Sequence, residues 1–193
     1  IAICGKNSSR WGMAFFSVVT YGAVAVPILH EFHPNQVHDI VNHSESKLFF
    51  VGEREYANLD AAAMPGLTGI IGINDYEILS SKNDNLVQAR ENLNKLFGER
   101  FPNTFRPQDV QYHQCEPEEL AVINYPSGTT SNSKGVMIPY RALSSNIEFG
   151  IGAIGHFVKP GDRVLSMLPM AHMYGIFRTM NVPMLKFHER ILL

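Results

Sequence analysis

The stretch "LAVINYPSGTTSNSKGVMI", residues 120–138, decides how this chain is read. It opens with the apolar, β-branched run "LAVINY" and closes with another, "GVMI". Between them lies "YPSGTTSNSKG", residues 125–135, with five short hydroxyl side chains, two glycines and a lysine. Such a segment buries almost nothing, so its value lies in what it can hold. A phosphate needs many donors at short range and some positive charge. Glycine lets the backbone approach closely with bare N–H groups, Ser and Thr add donors that rotate to fit, and lysine adds a mobile charge. Composition alone leaves two readings open, a phosphate-gripping loop and a flexible Ser/Thr linker. Against the linker stand apolar strands on both sides, too close together for a disordered spacer. The loop is not the common nucleotide P-loop, because Ser133 precedes Lys134, Gly135 follows it, and a strand comes next. Nor is it a nucleophile elbow, since Ser127 lacks the G-x-S-x-G frame.

Outward from this loop the chain alternates between short apolar runs and amphipathic stretches. Strands are expected at residues 1–4, 23–26, 48–51 and 69–73, with helices at 9–21, 34–43, 53–62 and 85–97. Pro34 suits a first helical turn. Leu86, Ala89, Leu93, Leu96 and Phe97 fall on one helical face. Residues 98–119, rich in Pro, Gln, Asn and Arg, read as a surface excursion. After the quoted loop, Pro139 opens a helix whose Leu143, Ile147, Ile151 and Ile154 share a face. "KPGD" then turns into the strand "RVLSML", and "PMAHMYG" leaves it. Continuously apolar strands such as "LFFV" and "GIIGI", separated by helices, predict an α/β protein with a mostly parallel sheet flanked by helices.

The bulk figures set limits. The chain has 193 residues, enough for one good core. It is 45% hydrophobic and 18% charged with a net charge of -2, which gives no electrostatic reason to expect nucleic acid as partner. Cys4 and Cys115 are isolated, so neither a zinc knuckle nor a disulfide framework is suggested, and a reducing cytoplasm is the default. Residues 11–29 carry no charge and approach the length of a membrane span. Ser17, Thr20, Tyr21 and Gly22 interrupt them, and a buried helix followed by a buried strand accounts for them better. No transmembrane segment is expected. His30, His33, His38 and His43 crowd one region, but "HEFH" is one residue short of H-E-x-x-H and would not stack two imidazoles one turn apart.

The segment "YPSGTTSNSKGVMIPYRAL" resembles the signature loop of the adenylate-forming (AMP-binding) enzymes, the superfamily of acyl-CoA synthetases, peptide-synthetase adenylation domains and luciferases. That signature commonly runs Y-T-S-G-T-T-G-x-P-K-G-V. Downstream, "GDRVLSMLPMAHMYG" is similar to the family's GD-x-x-L-x-x-L-P-x-x-H-x-x-G. The opening "AICGKNSSRWGMAFFSVVTYGAVAVPI" resembles its first block, in which a helix leads to GAV-x-VP. The resemblance runs over residues 1–175. Pro126 stands where Thr is usual, Ser131 where Gly is usual and Ser133 where Pro is usual. These changes are expected to loosen the loop or weaken its hold on ATP.

The resemblance implies a fatty acyl-CoA synthetase, an acid–thiol ligase that uses ATP, Mg²⁺ and coenzyme A. Ser127, Gly128, Thr129, Thr130, Ser131, Asn132, Lys134 and Gly135 would hold the ATP phosphates. Thr130 is the hydroxyl expected near the metal, and Lys134 would offset charge on the departing pyrophosphate. His172 would sit beside the acyl carboxylate, with Met173 and Tyr174 lining the acyl pocket; Thr130, Lys134 and His172 are thus the catalytic candidates. Without the motif, His172 would read as an ordinary core histidine and the methionines as core. Residues 1–193 are expected to form one incomplete α/β domain, the N-terminal part of a larger AMP-binding domain without its C-terminal lid, and to be inactive alone. An adenylating enzyme for an aryl or amino acid and a non-catalytic phosphate-binding module remain the alternatives. The expected location is cytoplasmic, with peripheral membrane contact and an oligomer left open.

Overall fold

A computed structural model describes residues 1–126, 134–154, 164–165, 168–176 and 191–192. It opens on a βαβαβ run: β1 (Ala2–Cys4), α1 (Ser9–Thr20), β2 (Val26–Ile28), α2 (Pro34–His43) and β3 (Leu48–Val51). The short helix α3 (Glu53–Tyr56) and a 3₁₀ turn (Ala61–Ala63) lead to β4 (Gly69–Gly72) and β5 (Ile78–Ser81). These strands form a sheet in the order β2-β1-β3-β4-β5, parallel except for the antiparallel β4–β5 pair. β1 therefore has β2 on one side and β3 on the other. Such reversals are where ligand crevices form in open α/β sheets, at the carboxyl ends of the strands.

The sheet is covered on both faces, as its continuous apolar strands require. Side chains alternate along a strand. Ile3 of β1 points into a cluster with Trp11, Phe15 and Val18 of α1, together with Ala121, Val122 and Met170. Its neighbours Ala2 and Cys4 point the other way, into a cluster with Val37, Ile40 and Val41 of α2, Phe49 and Tyr125. The uncharged stretch 11–29 is thus a buried helix and strand. No helix among the described residues is long and apolar enough to cross a membrane. α1 starts where Ser8 accepts a hydrogen bond from the Trp11 N–H at 3.0 Å, a serine N-cap.

Helices α4 (Asp84–Glu91) and α5 (Leu93–Arg100) follow, then β6 (Leu120–Asn124), β7 (Val136–Pro139) and α6 (Tyr140–Ile154). β6 and β7 pair antiparallel, with Asn124 opposite Val136. Backbone bonds splice this hairpin onto the main sheet. The Ala25 N–H donates to the Ala121 carbonyl and the Ile123 N–H donates to the Ala25 carbonyl, both at 2.9 Å. The bridge is parallel, so β6 delivers its carboxyl end to the same sheet edge as β1, β2 and β3. On α6, Leu143 is buried and Ile147 packs against the core, while the side chain of Ile154 lies outside the described residues. A parallel pair, β8 (Val164–Leu165) with β9 (Ile191–Leu192), and the turn α7 (Met173–Gly175) complete the described elements.

Four expectations need correction. The strand expected at 23–26 lies at Val26–Ile28, because Ala25 is drawn into the bridge to β6. The helix expected at 53–62 ends at Tyr56 and resumes only as the 3₁₀ turn capped by the Asp60 carboxylate. The helix expected at 85–97 is two helices broken at Asn92, and of its apolar face only Leu86 is half-buried, over Gly69, while Ala89, Leu93, Leu96 and Phe97 are exposed. The strand β5 was not foreseen: "ILSS" is half polar and sits at an edge, where one side of the strand has no partner to select for apolar residues.

Candidate active site

The hairpin places both ends of the hydroxyl-rich loop side by side. Tyr125, just past β6, is buried, and its hydroxyl lies 2.7 Å from Nδ1 of His43 at the end of α2. The two rings meet edge to face, 5.8 Å apart. Burial pushes the Tyr125 phenol above its ordinary range. At the other end, Gly135 lies directly on Tyr125. A Cβ at position 135 would stand 2.6 Å from Ile123 Cγ2 and 3.0 Å from Tyr125 Cζ, so only glycine allows this approach. Lys134 is exposed at the loop's exit. The expected phosphate-binding residues Ser127, Gly128, Thr129, Thr130, Ser131 and Asn132 lie outside the described residues, as do the substitution at Ser133 and the metal role expected of Thr130.

The second motif is a turn tied to the first. Asn124, the last residue of β6, is buried, and its Nδ2 donates to the Ala171 carbonyl at 3.3 Å. Asn7, in the loop after β1, holds the same turn. Its Nδ2 donates to the Leu168 carbonyl at 2.8 Å and its Oδ1 accepts from the Met170 N–H at 2.7 Å. Met170 and Ala171 are buried, while His172 is exposed. The His172 N–H donates to the Pro169 carbonyl at 3.0 Å, and the His172 carbonyl accepts from the Ile176 N–H at 2.9 Å. The motif's glycine, Gly175, has a packing reason too: a Cβ there would run into the Pro169 carbonyl. Met173 packs partly against the core cluster, and the Tyr174 side chain lies outside the described residues.

Sequence reasoning missed Asn7 and Asn124. Asn124 left a signal, since a carboxamide ending an apolar strand must find a partner when buried. Two of the amino-terminal histidines have structural partners: the His38 Nε2 accepts from the Asp60 N–H at 3.1 Å, and His43 holds Tyr125. Among the described residues, no group of three or more His, Cys, Asp or Glu side chains is placed to hold a metal ion. The site therefore presents an exposed lysine at the exit of a donor-rich loop, and an exposed imidazole on a turn bonded to the strand that feeds that loop.

A model of the AMP-binding enzyme family matches residues 1–188. The chain is 30% identical over 184 residues to "Probable acyl-activating enzyme 16, chloroplastic" of Arabidopsis thaliana. It is 29% identical over 194 residues to long-chain-fatty-acid–CoA ligase 1 of Homo sapiens. Each match takes in 90% of this chain and 25% of the relative, so the chain spans about a quarter of the length of these curated relatives. Among solved structures, an anthranilate CoA ligase in complex with anthranoyl-AMP superposes with a TM-score of 0.77 at 19% identity, over 100% of this chain and 34% of that one. A long-chain-fatty-acid-CoA ligase from Archaeoglobus fulgidus gives 0.71 at 20%, over 98% and 34%. These two likenesses bear on the fold, and the family model bears on the family: the chain belongs to the AMP-binding enzymes, the adenylate-forming, acyl-activating family.

Proposed function

We propose that this chain forms the phosphate-gripping and acyl-facing walls of a fatty acyl-CoA synthetase. In the reaction proposed, an oxygen of the fatty acid carboxylate attacks the α-phosphorus of ATP. The bond from that phosphorus to the bridging oxygen breaks, and pyrophosphate leaves with the bonding pair. The thiol of coenzyme A, giving up its proton to solvent, then attacks the acyl carbon of the acyl-adenylate; a C–S bond forms, the acyl C–O bond to the phosphate breaks, and acyl-CoA and AMP leave.

The work left to the protein is positioning and charge neutralisation. Residues 127–135 would hold the outer phosphates through backbone N–H groups and hydroxyls. The Lys134 ammonium would offset the charge that builds on the departing pyrophosphate. His172 would face the carboxylate, with Met173 and Tyr174 beside the acyl chain. The Thr130 hydroxyl would lie near a magnesium ion carried on the ATP phosphates, which would supply further charge neutralisation.

The observation that carries this reading is the Asn124–Ala171 bond. It joins the strand feeding the phosphate loop to the turn bearing His172, as a reaction between a phosphate and a carboxylate requires. The fatty acid as substrate is supported by the human relative, a long-chain-fatty-acid–CoA ligase. The test is exchange of labelled pyrophosphate into ATP by the intact protein, with fatty, aryl and amino acids offered in turn. Exchange is expected with a fatty acid. Exchange with an aryl or amino acid alone would change the substrate class, and none with any acid would overturn the reading.

A further inference from the structure

We propose that Asn7 is a positioning residue for His172. The proposal rests on the reading of His172 as the acid-facing imidazole, and it adds a residue from the opposite end of the chain. The Asn7 carboxamide makes two bonds to a single turn, accepting from the Met170 N–H at 2.7 Å and donating to the Leu168 carbonyl at 2.8 Å. The two groups flank Pro169, whose carbonyl receives the His172 N–H. Asn124 holds the Ala171 carbonyl of the same turn. Three main-chain groups within four residues are thus fixed by two side chains, from the ends of β1 and β6.

The chemistry selects asparagine. One donor and one acceptor must sit side by side at a fixed reach from the backbone. Aspartate supplies no donor for Leu168, glutamine is one methylene longer, and serine is too short to span both groups. With Met170 and Ala171 sunk into the core, the next residue has little freedom in where its Cα lies. A misplacement of about 1 Å at a reacting group costs on the order of 100-fold in rate. Asn7 therefore acts at a distance, through the turn, and touches no substrate itself.

The experiment is a double-mutant cycle in the intact protein. Asn7→Asp keeps the size and the acceptor for Met170 and removes the donor to Leu168. It is made alone and together with His172→Ala, with Asn7→Ala as a second variant. Fatty acid-dependent pyrophosphate exchange gives the KM for acid, the KM for ATP and kcat. The expected result is a loss of about 10- to 100-fold in kcat/KM for the acid, with the KM for ATP within about twofold. In the His172→Ala background, the same Asn7 change should cost less than about twofold. The proposal is overturned if Asn7→Asp costs nothing, if the loss recurs in full without the imidazole, or if the KM for ATP rises equally.

Hydrogen exchange separates this from the function itself. Should the wild-type protein exchange no pyrophosphate, the adenylation reading falls, and the Met170 and His172 amides decide the clamp. Protection at these two amides that drops at least about tenfold in Asn7→Ala supports it. Amides unprotected in the wild type, or unchanged in Asn7→Ala, overturn it.

Discussion

The two cysteines differ because one faces the core and the other faces water. Cys4 is fully buried in β1, with its Sγ 3.9 Å from the Leu29 carbonyl. Burial, helped by the nearby Glu55 carboxylate, pushes its thiol from 9.0 up to about 12. Cys115 is exposed. A thiol reagent at about pH 8 should therefore label Cys115 alone in the folded protein, and Cys4 only after denaturation, as peptide mapping would show. The same shift ties stability to pH. Below pH 9 the thiol is protonated whether the chain is folded or not. Between 9 and 12 the unfolded chain releases the proton and the folded one keeps it, so stability falls as pH rises. Urea midpoints measured across that window should decline, and Cys4→Ala should flatten the decline. A midpoint slope unchanged by that substitution would remove Cys4 from the explanation.

At the scale of elements, α5 shows how an apolar pattern can point at nothing. Leu93, Leu96 and Phe97 are 51%, 46% and 47% exposed, although they share one helical face. Phe97 instead meets Phe101 and Phe105, with ring centroids 5.1 and 5.4 Å away, in a trio made within the excursion. Leu96→Ala should accordingly cost under about 1 kcal/mol in a urea melt, whereas Ile40→Ala, in the core beneath α2, should cost about 2–5 kcal/mol. Equal losses would mean that α5 has a covering partner in solution. Helical spacing tells which residues share a face and says nothing about what covers it. By the same logic the apolar runs of β3 and β4 were legible, because strands buried on both faces leave no polar positions. β5 was not, being an edge. The site divides in the same way. Lys134, Gly135 and His172 stood out through motif spacing, while Asn7 stayed hidden because its partners lie 161 and 163 positions away. A sequence shows a carboxamide's capacity for hydrogen bonds and withholds the groups that use it.

For the whole molecule, the question is whether the main sheet and the β6–β7 hairpin unfold together. They are separate ladders joined at Ala25, whose carbonyl holds the Ile123 N–H while the next residue, Val26, donates to the Ile1 carbonyl at 2.8 Å. Two core clusters, one on each face of the sheet, reach across this seam. One unites Ile3 and Trp11 with Val122 and Met170, and the other unites Phe49 and Ile40 with Tyr125. Tyr140, at the start of α6, also donates its hydroxyl to the Val19 carbonyl of α1 at 2.7 Å. With burial shared on both faces, opening the hairpin alone would uncover Ala121, Val122 and Ile138 in one cluster and Tyr125 in the other. The Ile123 and Val26 amides should therefore exchange only through a common, global opening. Phe49→Leu, a change remote from β6 in sequence and confined to one cluster, should lower protection at both amides by the same factor, about tenfold for a loss near 1.4 kcal/mol. Protection that falls at Val26 and stays constant at Ile123 would show that the hairpin opens by itself. The His172 turn, held by Asn7 from the main sheet and by Asn124 from the hairpin, would then be gripped by two units free to move apart.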